Sequence, residues 1–124
     1  MNFDINKLFV GIDLVEVDRF KDIEKQKKFI DNIFSKREIN DCRGKNSFEE
    51  SLAGRFAAKE AVKKTVEESI KFNEIEIINN KNGVPRVNFL NKKMSEKYKS
   101  IISISHLKSI AHAICITYKK TRKT

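Results

Sequence analysis

The chain has 124 residues and carries 26 Lys plus Arg against 17 Asp plus Glu, a formal net charge of +9. Its length points to one domain, residues 1–124, with enough chain for a real hydrophobic core, and its charge to an anionic partner: nucleic acid, acidic protein, nucleotide or membrane surface. Two cysteines far apart, Cys42 and Cys115, exclude a disulfide framework and fit a reducing cytosol; with no signal-peptide pattern and no bilayer-length apolar run, a cytoplasmic protein without membrane insertion is expected.

In chain order, residues 8–13 form an apolar, β-branched run that predicts a buried strand. Helical pieces follow through Cys42, with Val17, Phe20, Ile23, Phe29, Ile30, Ile33 and Phe34 at helix-like spacing. Residues 43–47 read as a turn, with Asn46 or Ser47 capping the next helix. That helix is long, from about residue 48 to 66, and rich in Ala. Residues 74–78 alternate as a half-buried strand, and Asn79-Asn80-Lys81-Asn82-Gly83 is a strong hairpin signal before residues 84–89 return. A short helix over 91–99 precedes strands at 101–105 and 110–118, joined through His106-Leu107-Lys108-Ser109. The basic tail 119–124 reads as a frayed end. Strands that can pair as antiparallel neighbours, with segregated helices, make the class α+β.

Two carboxylates stand where the pattern wants apolar residues. On a helical wheel Glu60 falls beside Ala53, Phe56 and Ala57, with Lys64 one turn further on. Asp13 lies inside or at the end of the first strand, and Gly11 on the same face leaves room for close approach. A carboxylate in apolar surroundings needs a cation, a hydrogen-bond network or a raised pKa. Plainer readings exist for both. Asp13-x-x-Glu16 fits a capping box, and Glu60 with Lys64 fits a helix-surface ion pair.

Three pieces of the sequence together resemble a known family. They are Gly11-Ile12-Asp13-Leu14-Val15-Glu16-Val17-Asp18-Arg19, Leu52-Ala53-Gly54-Arg55-Phe56-Ala57-Ala58-Lys59-Glu60-Ala61, and Ser103-Ile104-Ser105-His106. In order, spacing and overall length the chain resembles the holo-acyl-carrier-protein synthases, the small bacterial class of phosphopantetheinyl transferase. The resemblance implies a long central helix packed on an antiparallel sheet, with short helices, and a homotrimer with active sites between subunits. It implies transfer of the 4′-phosphopantetheine arm of coenzyme A to a serine of apo-acyl carrier protein, releasing adenosine 3′,5′-bisphosphate, in fatty acid biosynthesis.

The same resemblance assigns roles. Asp13 and Glu60 hold Mg2+, which keeps several waters and takes one or two protein carboxylates. Lys64 completes the catalytic set and contacts the transferring phosphate. Arg55, Lys59, Lys64 and His106 bind coenzyme A; for Arg55 and Lys59 the alternative is to hold the helix in place, and for His106 to be a turn residue. Arg19, Lys25 and Lys28 face the acidic carrier protein, or belong to a solvated cationic helix face. The general base stays open among Asp13, Glu16 and a metal-bound water. His112 and Cys115 read as core or structure.

One departure stands out. Where the family carries a glycine-rich loop after the long helix, residues 65–72 hold no glycine and two acids, Glu67 and Glu68, which would repel phosphates. The rival readings are a small basic nucleic-acid-binding protein, against which no recognised nucleic-acid motif appears, and a family member that binds carrier protein without turnover.

Overall fold

The computed structural model describes residues 3–121. Its organising element is α3, Phe48–Lys63, ten of whose sixteen residues are buried. Such a helix has no solvent face to spare, so it is covered on both sides. Ser47 caps it, its hydroxyl accepting from the Glu50 amide at 3.3 Å, and Glu49 and Glu50 place negative charge in the first turn. The helix stops at Lys63, three residues before the expected end. The Thr65 hydroxyl donates to the Val62 carbonyl at 2.7 Å and pairs with Thr117 at 2.6 Å, so a side chain takes the carbonyl that another turn would need.

One cover is a three-stranded antiparallel sheet in the order β1 (Leu8–Glu16), β5 (Ile110–Lys119), β4 (Tyr98–His106). Asp13 stands opposite Ala113, and Gly11 opposite Cys115. The sheet faces α3 through small side chains, Ala111, Ala113 and Cys115 among them, all buried, and the facing residues of α3 include Ala57 and Ala61. β1 runs three residues past its expected end because β5 pairs with it as far as Glu16 opposite Ile110. The expected capping box at Asp13 and Glu16 is therefore absent; both are strand residues. Likewise the tail is not frayed at Lys119, the last residue of β5, and the Lys120 amide donates to the Lys97 carbonyl. Residues 122–124 lie outside the described range.

The other cover is made of α1 (Lys27–Ile33), α2 (Lys36–Arg43) and the hairpin of β2 (Ile75–Asn79) with β3 (Pro85–Phe89). Two 3-10 turns, Val17–Phe20 and Ile23–Lys25, lead into α1, and a third, Phe72–Glu74, leads into β2. The hairpin turns as its sequence requires: the Asn80 side chain accepts from the Asn82 and Val84 amides, and Gly83 takes φ +80°. A short α4, Lys92–Lys97, is capped by Asn91. Among the described residues no helix is long and apolar enough to cross a membrane.

A buried polar network joins this cover to α3. Lys59, fully buried, donates to Glu38 Oε1 at 2.7 Å, to the Ile33 carbonyl at 2.5 Å and to the Phe72 carbonyl at 3.2 Å. Glu38, also fully buried, accepts from the Ser35 and Ile77 amides as well. Burial pushes the Lys59 ammonium below the usual lysine range, and Glu38 pulls it back up. Arg55 donates to the Ile77 carbonyl at 2.5 Å and pairs with Asp41. Glu76, expected on the open side of a half-buried strand, is buried instead, because it accepts from the Ser35 hydroxyl and pairs with Arg37.

Removing one charge from the Glu38–Lys59 pair strands the other in the core. Glu38→Gln is expected to cost about 3–5 kcal/mol in urea denaturation. Adding Lys59→Met to it should cost far less than Lys59→Met alone; additive losses would show that the two charges do not depend on each other.

Candidate active site

Beyond Gly11, β1 runs along α3 toward the helix's N-terminal half. At Gly11 the two backbones nearly touch: a Cβ there would lie 2.3 Å from the Ala61 carbonyl oxygen and 3.1 Å from Lys64 Cβ. Further along, the Arg19 guanidinium stands 5.1 Å from the Phe56 ring centroid. Asp13 falls between, on the same strand face as Gly11. What approaches Gly11 closely is therefore helix α3.

The seam brings the expected acid and base together. Lys64 caps the C-terminal end of α3 and donates to the Ile12 carbonyl at 2.8 Å, and its ammonium stands 3.3 Å from Asp13 Oδ1. The Asp13 side chain is 15% exposed and that of Lys64 53%. Glu60, half-buried, lies one turn earlier on the same helix face. Lys64 turns to the strand and makes no ion pair with Glu60, so the surface-pair reading fails. Among the described residues Glu60 has neither a salt bridge nor a side-chain hydrogen bond.

This donor set fits one kind of cation. Two carboxylates from two rigid elements offer hard oxygen ligands, and no group of three or more Asp, Glu, His or Cys side chains gathers to hold a metal among the described residues. Magnesium, which keeps several of its waters, suits such a sparse site. The adjacent ammonium is a point charge for phosphate oxygens.

At the other end of α3 lies a cavity of about 450 Å3, walled by Lys45, Ser47, Arg55, Asn79 and His106. His106 is exposed at the end of β4, and Gly54 lets β4 in: a Cβ there would sit 3.0 Å from Ile104 Cγ2 and 4.0 Å from His106 Cδ2. Arg55 reaches this wall with its guanidinium already engaged by Ile77 and Asp41. Lys59 does not reach it. The coenzyme A contact expected of Lys59 is corrected here: an ammonium has three N–H donors, and all three are spent in the core. Lys45 was overlooked; its place two residues before the helix cap was the available signal, since helix N-termini attract anions.

Arg19, Lys25 and Lys28 are all exposed. His112 is not core: it stands exposed on the outer face of β5, while Cys115 is buried. The acids of residues 65–72 are neutralised. Glu67 accepts from Lys119 at 2.7 Å, and Glu68 from Lys97 at 2.6 Å and from the Tyr98 hydroxyl at 2.7 Å. These bonds hold both carboxyls below their usual range and tie the segment to β4 and β5.

Residues 9–115 match the model of the 4′-phosphopantetheinyl transferase superfamily. The chain is 41% identical over 118 residues to the holo-[acyl-carrier-protein] synthase of Caldicellulosiruptor saccharolyticus, covering 90% of this chain and 96% of that one. It is 45% identical over 116 residues to the enzyme of that description from Clostridium kluyveri, covering 85% and 87%. A crystal structure of a holo-(acyl-carrier-protein) synthase from Bacillus anthracis in complex with CoA (3′,5′-ADP) superposes with a TM-score of 0.75 at 30% identity, covering 90% of this chain and 96% of that one.

The close crossing makes a graded prediction. Gly11→Ala sets a methyl against a backbone oxygen that cannot rotate away, and is expected to lose about 3 kcal/mol. Gly54→Ala meets only the end of an Ile side chain and gains helix propensity, so a loss of about 1 kcal/mol or less is expected. Urea denaturation of both variants checks the order.

Proposed function

The chain belongs to the 4′-phosphopantetheinyl transferase superfamily, in its holo-[acyl-carrier-protein] synthase class, and we propose that it moves the 4′-phosphopantetheine arm of coenzyme A onto a serine of apo-acyl carrier protein with the help of magnesium. The observation that carries this reading is the β1–α3 seam, where Lys64 meets Asp13 with Glu60 one helical turn earlier on α3. In this reaction the serine oxygen attacks the phosphorus on the pantetheine side of the pyrophosphate. The bond from that phosphorus to the bridging oxygen breaks, adenosine 3′,5′-bisphosphate leaves, and the serine proton passes to a base. Positioning and charge neutralisation supply most of the rate in such transfers.

Asp13 and Glu60 would hold the magnesium ion, whose charge offsets that of the pyrophosphate. Lys64 presents its ammonium to the transferring phosphate, held at the right height by the Ile12 carbonyl. The cavity at the start of α3 takes the nucleotide end of coenzyme A, with His106 and Lys45 as its free cationic or polar contacts and Arg55 shaping the wall. Of the candidate bases, Asp13 shares the strand face of Gly11, whereas Glu16 stands exposed on the opposite face of β1; Asp13 and a metal-bound water are left for the role. Arg19, Lys25 and Lys28 receive the acidic carrier protein. The product serves fatty acid biosynthesis in the cytoplasm, a compartment that two free, buried thiols fit.

The outer face of the sheet supports self-association. Val10, Ile12, Leu14, Ile101 and Ile114 are all exposed there, and Ile12 faces Ile114 across the ladder. A contiguous apolar face of this kind is an interaction surface, and we assign it to copies of the chain forming a trimer.

Three measurements test the reading. Mass spectrometry of apo-acyl carrier protein after incubation with coenzyme A and magnesium should show a gain of one phosphopantetheine group, lost with EDTA and in Asp13→Ala and Glu60→Ala. Lys64→Met should lower kcat by roughly 100-fold, the usual cost of one electrostatic donor. Light scattering should give three times the chain mass, and Ile12→Glu should reduce it to one; a wild-type monomer with full activity would remove the assembly from the proposal.

A further inference from the structure

The docking face expected from the sequence ends at Lys28. The structure extends it to a cation that sequence reading left unassigned. Phe56 and Phe72 stack with centroids 5.2 Å apart, and each ring has one cation close to it. Arg19 stands 5.1 Å from the Phe56 centroid, and the Lys63 ammonium 4.0 Å from that of Phe72. Among the described residues neither Arg19 nor Lys63 makes an ion pair. The acids nearest in sequence to Lys63 and Phe72 are turned elsewhere: Glu67 binds Lys119, and Glu74 accepts from the Lys71 amide and the Asn91 side chain. Glu60 is the exception, one helical turn from Lys63 and assigned to the metal.

We propose that Lys63 is a docking and specificity-determining residue for the acidic carrier protein, held ready by the Phe72 ring. The inference rests on the transferase reading and deepens it. Lys63 lies three residues after Glu60 on α3, so the two are neighbours on the helix surface. The Phe72 turn packs against α1, the helix that carries Lys28, and Phe29 of α1 packs against Phe20. The segments that carry Lys28, Arg19 and Lys63 are thus joined through one aromatic cluster. A lysine seated on a ring has already lost much of its side-chain freedom, so docking immobilises it at smaller entropic cost. A purely structural Lys63 would only cover Phe72 and complement the C-terminal end of α3.

The test is steady-state kinetics of the full chain, with apo-acyl carrier protein and coenzyme A varied in turn at several ionic strengths. Lys63→Gln should raise KM for carrier protein about fivefold, as loss of one steering charge does. It should leave kcat and KM for coenzyme A unchanged and flatten the salt dependence. Lys63→Glu should act in the same direction and more strongly. Lys63→Arg should restore the wild-type value, and Phe72→Leu, which keeps the charge but removes the ring, should fall between. Lys92→Gln on α4 is the equal-charge control and should change nothing. An unchanged KM for carrier protein in Lys63→Gln and Lys63→Glu overturns the inference alone. So does a parallel rise in KM for coenzyme A, or a failure of Lys63→Arg to rescue. A wild-type chain that transfers nothing overturns the functional reading, and Lys63's role with it.

Discussion

The buried pair of Lys59 and Glu38 is the interaction on which the rest of the molecule depends. Two charges with no access to water are tolerable only if each is fully partnered, and these are. Their partners come from α1, α2, β2 and the turn before β2, so satisfying one ammonium and one carboxylate fixes four segments against α3. The next residue is Glu60. Consecutive helical residues point about 100° apart, so locking Lys59 inward sets where Glu60 emerges. The helix carries two i, i+4 sets with different duties. Arg55 and Lys59 bind the scaffold, while of Glu60 and Lys64 the latter meets the strand.

The strand reaches that second set only because of small residues. A side chain at Gly11 would strike the Ala61 carbonyl, and β5 presents Ala111, Ala113 and Cys115 to the same helix. The close crossing lets the Lys64 ammonium find the Ile12 carbonyl and Asp13 at once. A carboxylate on a helix and one on a strand would otherwise stand a full interaxial distance apart. On the proposed function, close packing here is the positioning device for the chemistry, and its tolerance is that of a core, where a single methyl is felt.

Much of this was legible from residues alone. An Ala-rich run of helix formers gave α3, the hairpin signal gave β2 and β3, and misplaced charges marked Asp13 and Glu60 as candidates. The failures share a cause. Lys59 and Glu76 read as functional or exposed because a charged side chain on an amphipathic pattern is assumed to seek water or ligand. Their partners, Glu38 and Ser35, lie twenty to forty residues away in sequence, and no local pattern announces a buried network. The stop of α3 at Lys63 depends likewise on Thr117, on a strand at the far end of the chain. His112 looked like core because its strand is apolar on both sides, one packed on α3 and the other open.

Residues 65–72 reverse an argument from composition. Two acids in place of glycines would repel a nucleotide if they faced it, yet both are held by lysines and a tyrosine on the last two strands and α4. Their negative charge is spent on anchoring the exit of α3, and with it Lys64. On the proposed function, the nucleotide end then lies at the opposite end of the helix, in the cavity beside Gly54 and His106. Gly54 and Glu60 are six residues apart, about 9 Å along an α-helix. On that reading one rigid rod sets the spacing between the pyrophosphate site and the nucleotide site.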